Sequence, residues 1–262
     1  MSDTCKGKDA THRCILHGEY TGQTHRMEVL KGKVIEIPPI CPACEMEAAE
    51  EKARKDEETR KRRAIEKWRG MNIEPRFYDA TFEGFNAYNA ELGNHLETCR
   101  AFAKKPDGKL VMMGENGNGK THLAVSILKA VGGVIYTAYE IGIKLRRSYK
   151  GDTHEWEVFN ELSTAPLLVI DEVEKIADTD AKQHWFSFVI GKRYDRYLPT
   201  ILISNCHRQK NCREQKRPCP RCLESHLEND VISRITEKSV AMTFSSGDYR
   251  EKIRDARLGR GK

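Results

Sequence analysis

The sequence predicts an α/β domain in which a parallel sheet carries helices on both faces, a three-layer α/β/α arrangement. From residue 71 onward, short apolar runs alternate with longer amphipathic segments, and this alternation is typical of such a sheet. The runs LVMM (110–113), LLVI (167–170) and TILIS (200–204) lack polar alternation, as expected for strands buried on both sides. A small N-terminal zinc-binding segment and a charged helix are predicted to precede this domain.

Three regions of different composition divide the chain. Residues 1–45 are rich in cysteine and histidine and are interrupted by glycine and proline. Residues 46–70 are dominated by good helix formers, with opposite charges three and four positions apart, which predicts an exposed helical linker. Its apolar face is too thin to favour a coiled coil. Residues 71–262 form the predicted α/β domain.

Length and charge set broad limits on the protein. Its 262 residues allow one large and one small domain, and 45 basic against 39 acidic residues give a net charge of +6, a mild excess compatible with a nucleic-acid partner. The N-terminus lacks the apolar region of a signal peptide, and the apolar runs are too short to span a bilayer, so we expect a cytoplasmic location. Thiols stay reduced there, so the nine cysteines favour metal ligation over disulfides.

The segment GENGNGKT, Gly114 to Thr121, fits the phosphate-binding pattern G-x-x-x-x-G-K-[ST] and lies between an apolar strand and an amphipathic helix, as the pattern requires. Its glycines allow backbone N–H groups to wrap phosphate oxygens, and the helix directs its positive end towards them. Lys120 is expected to reach the β- and γ-phosphates, and Thr121 to ligate Mg²⁺. The candidate nucleotide-binding residues are Gly114, Asn116, Gly117, Asn118, Gly119, Lys120, Thr121 and His122.

Two further apolar strands end in polar residues that suit hydrolysis. Asp171 and Glu172 follow LLVI, where Asp171 is expected to hold Mg²⁺ and Glu172 to orient and activate the attacking water. Asn205 follows TILIS, and in this context we expect it to sense the γ-phosphate and position water. The sequence therefore predicts a phosphate site that hydrolyses its ligand.

The N-terminal segment contains two pairs of metal-ligand residues, Cys14 with His17 and Cys41 with Cys44. Pairs of the form C-x-x-H and C-x-x-C, separated by a β-rich stretch, suit tetrahedral zinc. The segment is too short to bury a real core, so the metal would supply folding energy, roughly 10–16 kcal/mol in zinc peptides. The alternative ligands are Cys5, His12 and His25.

The segments GENGNGKTHLA, LLVIDEVEK, KRYDRYLPTILISN and EPRFYDATFEGF together resemble the AAA+ ATPases of the DnaC/IstB group. The similarity covers about residues 73–250 and preserves the order and spacing of these segments. The N-terminal zinc-type segment is similar to that of phage and prophage DnaC-type helicase loaders. The resemblance implies an AAA+ P-loop domain that binds ATP and Mg²⁺ and hydrolyses ATP to ADP and phosphate.

The resemblance also implies roles for two arginines. Arg234 occupies the arginine-finger position, from which it would reach the ATP of a neighbouring subunit, and Arg250 matches a second sensor arginine that contacts the γ-phosphate within the same subunit. The family often has another arginine four residues before the finger. Asp230 stands there in this chain, which leaves the exact contacts between subunits open.

The helix EIGIKLRRSYK matches the region that lines the central DNA channel in the family. Lys144, Arg146 and Arg147 would supply positive charge, and Tyr149 would stack on a base. The alternative is a charged helix face exposed to solvent.

A cysteine-rich insertion separates Asn205 from the finger helix, whereas these elements follow each other closely in the family. We expect a second zinc site there, with His207 or His226 as replacement ligands, because no thioredoxin-like frame surrounds CPRC. The zinc would stiffen the loop and hold its basic residues near DNA or a partner. The predicted ligands are Cys206, Cys212, Cys219 and Cys222.

Together these features predict an ATP-dependent loader of a replicative DNA helicase onto single-stranded DNA. The zinc segment would grip the helicase, and copies of the chain would assemble around DNA with ATP at their interfaces. One alternative is an IstB-like transposition ATPase with nearly identical motifs. The other is a non-catalytic, zinc-dependent nucleic-acid-binding protein that uses ATP only as a structural ligand.

Overall fold

The computed structural model describes residues 9–29, 33–148, 154–176, 180–207, 212, 219 and 221–249. The chain divides into two compact units, Met1–Ile65 and Glu66–Lys262. In the described part of the chain, no helix is both long enough and apolar enough to cross a membrane.

The first unit contains two β-hairpins followed by a long helix. Strand β1 (Asp9–Cys14) pairs antiparallel with β2 (Gly18–Gln23), and β3 (His25–Val29) pairs antiparallel with β4 (Lys33–Ile37). Helix α1 spans Pro42–Gly70, and the boundary between the two units falls within it. The helix thus begins before the predicted linker, within the segment that carries the last pair of predicted zinc ligands.

Ion pairs one turn apart run along the surface of α1. Glu51 pairs with Arg54 at 2.6 Å and with Lys55 at 3.2 Å, and none of the helix residues is fully buried. Each such pair contributes only about 0.3–0.5 kcal/mol. The stability of the helix therefore depends on the high helix propensity of its residues and on many weak ion pairs at its surface.

The second unit is built on a five-stranded parallel sheet in the order β6-β7-β8-β5-β9. The runs LVMM, LLVI and TILIS are buried and lie in or directly beside its central strands, as the sequence predicts. The strands are β5 (Lys109–Gly114), β6 (Val134–Thr137), β7 (Leu168–Asp171), β8 (Thr200–Ser204) and β9 (Ser239–Phe244).

Helices cover both faces of this sheet, which confirms the predicted α/β/α arrangement. Val111 and Met113 of β5 pack into a core with α4 to α7, whereas Leu110 and Met112 pack into a second core with α2 and α3. Adjacent strand residues point to opposite faces, so one apolar run supplies both cores. The helices are α2 (Ala90–Lys104), α3 (Lys120–Val131), α4 (Ala138–Ser148), α5 (Glu155–Thr164), α6 (Asp180–Asp195) and α7 (Asn229–Thr236).

Arg193 is a buried cation that links α5 and α6 to the start of β8. Its side chain donates to Oγ1 of Thr200 at 2.9 Å and to the carbonyl oxygens of Leu162, Ala165 and Pro199 at 2.9, 2.9 and 2.6 Å. The residue is only 1% exposed. Each of these buried oxygens therefore has a hydrogen-bond donor. Buried polar groups cost little stability when they are hydrogen-bonded in this way.

We expect the substitution Arg193→Met to destabilise the protein by roughly 3 kcal/mol, because it leaves buried carbonyl oxygens without donors. For a domain of this size, thermal unfolding monitored by circular dichroism should show Tm lower by roughly 6–12 °C. The matched control is Arg196→Met, an exposed arginine directly after the end of α6. A Tm for Arg193→Met equal to that of the control would contradict the prediction.

Candidate functional site

The loop between β5 and α3 requires glycine for both conformation and space. Gly114, Gly117 and Gly119 have φ angles of 131°, 79° and 89°, which residues with side chains rarely adopt. A Cβ at Gly114 would lie 2.2 Å from the carbonyl oxygen of Phe244, and one at Gly119 would lie 2.5 Å from a ring carbon of Phe85. The backbone of the predicted phosphate loop therefore lies so close to Phe244 and Phe85 that Gly114 and Gly119 leave no room for a side chain.

Lys120 begins α3 and directs its amine into this loop. Nζ donates to the carbonyl oxygens of Gly114 at 2.7 Å and Glu115 at 2.6 Å and to Oδ1 of Asn118 at 3.1 Å. Asn118 is 4% exposed and donates through Nδ2 to the carbonyl oxygen of Phe244 at 3.2 Å. The amine of Lys120 is thus held against the backbone of the loop that is predicted to surround a phosphate group.

Thr121 and Asp171 form the oxygen pair beside the loop. Oγ1 of Thr121 donates to Oδ2 of Asp171 at 2.8 Å, and the N–H of Glu172 donates to Oδ1 of Asp171 at 2.7 Å. Burial raises the pKa of the Asp171 carboxyl, and these two hydrogen bonds oppose that shift by favouring the ionised form. A hydroxyl beside a carboxylate is the kind of oxygen pair that binds Mg²⁺, so these residues fit the predicted metal.

Glu172 has a left-handed backbone immediately after β7. Its φ and ψ angles are 57° and 43°, and its carboxylate pairs with Nζ of Lys175 at 2.9 Å. A residue with a side chain is uncommon in this region, and such conformations concentrate at functional sites. The turn places the Glu172 side chain at the wall of the cavity that also contains the phosphate loop.

Glu174 is a residue of this site that the sequence reasoning missed. Its carboxylate accepts hydrogen bonds from Oγ of Ser204 at 2.8 Å, from the N–H of Asn205 at 3.2 Å and from Nδ2 of Asn205 at 2.7 Å. The segment DEVEK shows the acidic residue, but only the pairing of β7 with β8 brings it to Asn205. Glu174 therefore fixes the orientation of the Asn205 amide.

If Asn205 positions the attacking water, Glu174→Ala should lower the rate of ATP hydrolysis roughly tenfold while leaving ATP affinity nearly unchanged. Steady-state hydrolysis and equilibrium binding of ATP would separate the two effects. The matched control is Glu97→Ala, a carboxylate on α2 whose side chain is 76% exposed. A weaker ATP affinity with an unchanged maximal rate would contradict the positioning role.

Most of these residues line one cavity of about 710 Å³, a volume suited to a ligand of nucleotide size, whereas Gly114 and Glu174 lie outside its lining. Beside the phosphate loop its wall is aromatic, and there the rings of Tyr88 and Tyr249 stack with centroids 6.1 Å apart. The N–H of Tyr249 donates to the carbonyl oxygen of Gly117 at 2.9 Å. The predicted residues that line the cavity are Asn116, Gly117, Asn118, Gly119, Lys120, Thr121, His122, Asp171, Glu172 and Asn205.

The aromatic wall was also missed by the sequence reasoning. Phe77 and Phe85 come from the segment before α2, and Tyr249 comes from the segment after β9. The signal in the sequence was the aromatic lead-in EPRFYDATFEGF, which could be assigned to the cavity only once the fold had brought it there. An aromatic face beside a phosphate loop can stack on a nucleotide base.

Arg234 lies on α7, and the described residues that line the cavity do not include it. Its Nη1 atom pairs with Oδ2 of Asp230 at 3.2 Å, and the side chain is 39% exposed. The carboxylate of Asp230 therefore orients the side chain of the predicted finger. Arg250 lies outside the described residues.

The predicted DNA-binding residues differ in their surroundings. Nζ of Lys144 donates to Oε2 of Glu161 at 2.8 Å and to the hydroxyl of Tyr136 at 2.9 Å, so its charge is balanced within the unit. Arg146 and Arg147 are exposed at the end of α4. Tyr149 lies outside the described residues. Among the predicted DNA-binding residues that the structure describes, Arg146 and Arg147 are the exposed ones.

The four predicted ligands of the first zinc site come together in the first unit. Sγ of Cys14 lies 3.5 Å from Sγ of Cys44, and Nδ1 of His17 lies 3.7, 3.8 and 3.3 Å from the sulfurs of Cys14, Cys41 and Cys44. Tetrahedral zinc with bonds of about 2.0–2.3 Å separates its ligand atoms by roughly 3.5–3.8 Å, so the group fits the ion. Nε2 of His17 contacts Oε1 of Glu47 at 3.0 Å, the usual second partner of a zinc-binding histidine.

The second cysteine group differs from the prediction in one ligand. The atoms that lie within 4.8 Å of one another belong to His207, Cys212, Cys219 and Cys222. Cys206 is 6% exposed and packs in the core that contains α6 and α7. Successive residues after β8 point to opposite sides, so His207 faces the group and Cys206 faces the core. The structure therefore favours His207, one of the replacement ligands named from the sequence, over Cys206 as the fourth member of this group.

No family model matches the chain. The chain is 25% identical over 163 residues to the replicative helicase loader DnaC of Escherichia coli strain K12, which covers 58% of this chain and 66% of that protein. The solved structure of the DnaC helicase loader has a TM-score of 0.56 at 25% identity, covering 66% of this chain and 100% of that chain. The replication initiator DnaA, bound to AMPPCP and single-stranded DNA, has a TM-score of 0.54 at 20% identity, covering 71% and 55%.

These comparisons confirm the resemblance to DnaC-type proteins and the AAA+ fold of the second unit. The likeness to DnaA shows the fold alone. The chain spans 66% of the length of the curated relatives that it matches. Together with the cavity geometry, the comparisons support a nucleotide-binding AAA+ domain in the second unit.

Proposed function

We propose that the chain hydrolyses ATP and loads a replicative DNA helicase onto single-stranded DNA. The observation that carries the proposal is the convergence of the phosphate loop, the Thr121–Asp171 pair and Glu172 on one cavity, in a chain similar to a helicase loader. The relative is named a replicative helicase loader, and the same activity is proposed for this chain.

The residues of the cavity divide the chemistry among them. The N–H groups of the loop and the amine of Lys120 hold the phosphates, and the aromatic wall holds the base. Thr121 and Asp171 hold Mg²⁺, which when bound neutralises charge on the phosphate oxygens. Glu172 orients the attacking water and accepts its proton, and Asn205 positions that water from β8.

Self-association completes the site in this proposal. Arg234 lies outside the cavity of its own subunit, so it serves a neighbouring copy, and Arg250 senses the γ-phosphate in cis. Arg146 and Arg147 contact the phosphates of single-stranded DNA, and Tyr149 stacks on a base. ATP binding would favour the assembly, and hydrolysis would release it.

The first unit supplies the helicase contact. Zinc at Cys14, His17, Cys41 and Cys44 folds the segment, because its two hairpins bury little apolar surface. Between the first two ligands, Ile15 and Leu16 are 101% and 78% exposed. Exposed apolar side chains on a metal-held turn suit a protein partner. The proposal places the protein in the cytoplasm, where these thiols stay reduced.

Affinity capture with ATP present tests this function. The bait is the full chain with Glu172→Gln, which should bind ATP without hydrolysing it and so retain the loaded complex. We expect a replicative helicase to co-purify, and the further change Cys14→Ser with Cys44→Ser to abolish its capture while ATP affinity stays the same.

Two other results would assign a different function. Capture of a transposase in place of a helicase would indicate a transposition ATPase. A wild-type chain that binds ATP, but whose hydrolysis stays at background with DNA and helicase present, would indicate a non-catalytic nucleic-acid-binding protein.

A further inference from the structure

We propose that His207, Cys212, Cys219 and Cys222 hold a structural zinc ion that fastens the end of β8 to the phosphate loop and to helix α7. The metal site stands on the geometry of these four residues. Its consequence for catalysis rests on the proposed ATPase function, since the parts that it fastens carry Asn205, Lys120 and Arg234.

The donor set and its spacing fit one ion of zinc type. Nε2 of His207 lies 3.4 Å from Sγ of Cys222 and 3.9 Å from Sγ of Cys219, close to the edges of a tetrahedron around zinc. The four ligand atoms all lie within 4.8 Å of one another. Cys219 and Cys222 are 3% and 2% exposed, and none of the described cysteines forms a disulfide. Three thiols and an imidazole this close together are the set that closed structural zinc sites use.

The backbone around these ligands joins the two ends of the insertion. The N–H of His207 donates to the carbonyl oxygen of Arg221 at 2.9 Å, and the N–H of Leu223 donates to the carbonyl oxygen of His207 at 2.9 Å. The N–H of Cys222 donates to the carbonyl oxygen of Cys219 at 3.0 Å, which closes a tight turn between two ligands. An ion at this point would therefore lock the exit from β8 against the segment that leads into α7.

On one side the group is anchored in the core. Leu223 and Leu227, directly after the last ligand, are buried in the same core cluster as Cys206 and as Val231 of α7. Because α7 carries Arg234, the position of the proposed finger depends on this packing. Movement of the ligand turn would require these leucines to leave the core, which is costly for each side chain.

On its other side, the turn that carries Cys219 and Cys222 contacts the phosphate loop through Arg221. Nη2 of Arg221, the residue before Cys222, contacts Oε1 of Glu115 at 3.2 Å, and the carbonyl oxygen of Glu115 accepts a hydrogen bond from Lys120. Both side chains of this ion pair are mostly exposed, so the pair itself contributes little stability. Its significance is positional, since the ligand turn borders the loop that is proposed to hold the phosphates.

The test compares full-length chains that differ in this group. Zinc per chain is measured by elemental analysis after purification without added metal, and local opening is measured by hydrogen exchange of the peptides that contain the phosphate loop and α7. We expect two zinc ions in the wild type, one in the first unit and one here. Cys219→Ser with Cys222→Ser should remove one ion and speed exchange in both peptides roughly tenfold or more.

Two matched variants separate loss of the metal from a general packing defect. Cys206→Ala changes the neighbouring buried cysteine and should keep both zinc ions. His207→Cys replaces one ligand type by another and should also keep both, with more sulfur around zinc in the X-ray absorption spectrum, whereas His207→Ala should lose one ion.

Three results would overturn the proposal. A single zinc ion in the wild type, or loss of an ion in Cys206→Ala with retention in His207→Ala, would reject these ligands. Unchanged exchange in the phosphate loop and α7 after loss of the ion would reject the fastening role. These readouts need no nucleotide, so a wild type with two ions and no ATP hydrolysis would reject the proposed ATPase function and leave the metal site supported.

Discussion

Replacing Lys120 by alanine is expected to reduce ATP hydrolysis by roughly 10²–10³-fold or more, to the background of the assay. Lys120 is 5% exposed and its amine is held by Gly114, Glu115 and Asn118, so the amine is already fixed inside the phosphate loop. When phosphate binds, a fixed cation needs little reorganisation to balance charge that grows at the β- and γ-oxygens during the reaction. Alanine removes that charge and leaves the loop carbonyls to repel the phosphates.

The measurement is steady-state release of phosphate at saturating ATP and DNA, together with a binding titration. Lys104→Ala, an exposed lysine at the end of α2, is the matched control and should hydrolyse ATP at the wild-type rate. Circular dichroism checks that both variants are folded. Hydrolysis by folded Lys120→Ala at more than about a tenth of the wild-type rate would show that the loop is not the catalytic phosphate site.

Replacing Arg234 by alanine is expected to lower hydrolysis by roughly 10³–10⁵-fold under conditions in which the subunits assemble. The guanidinium is held by Asp230 at 3.2 Å, but the Arg234 side chain remains 39% exposed, so it can contact a second chain while its helix stays anchored. An arginine that enters a neighbouring cavity stabilises charge on the transferred phosphoryl group in the transition state. ATP affinity should fall much less than the rate.

Mixing variants tests whether this contact is made between subunits. Neither Lys120→Ala nor Arg234→Ala should hydrolyse ATP alone, but in an equal mixture about a quarter of the head-to-tail interfaces would pair an intact phosphate loop with an intact arginine. Activity should therefore return to a measurable fraction of the wild-type rate. A wild-type rate for Arg234→Ala alone, or a mixture that stays inactive although the two proteins co-assemble, would reject the finger in trans. Arg196→Ala serves as the surface control.

The sequence was sufficient where chemistry is local. Gly114, Gly117 and Gly119 could be assigned because their role depends on their own backbone angles, and Lys120 and Thr121 could be assigned because they follow at fixed positions on the same helix. The apolar runs predicted the parallel sheet for a similar reason, since a strand covered on both faces has no solvent side on which polar residues could alternate. The sequence also predicted the pairs Cys14 with His17 and Cys41 with Cys44 from their spacing, and the structure brings these four side chains together.

The tertiary structure decided the features that depend on neighbours distant in the chain. Glu174 reaches Asn205 only because β7 pairs with β8, and Tyr249 reaches Gly117 only because β9 pairs with β5. Lys144 looked like a free surface cation until α5 placed Glu161 against it. Cys206 and His207 are adjacent in the sequence, so their spacings to the other cysteines differ by only one residue. The core covers one side of this segment, and the side chain on the other side is the one that joins the cluster of predicted metal ligands. The sequence pattern alone does not say which side the core covers.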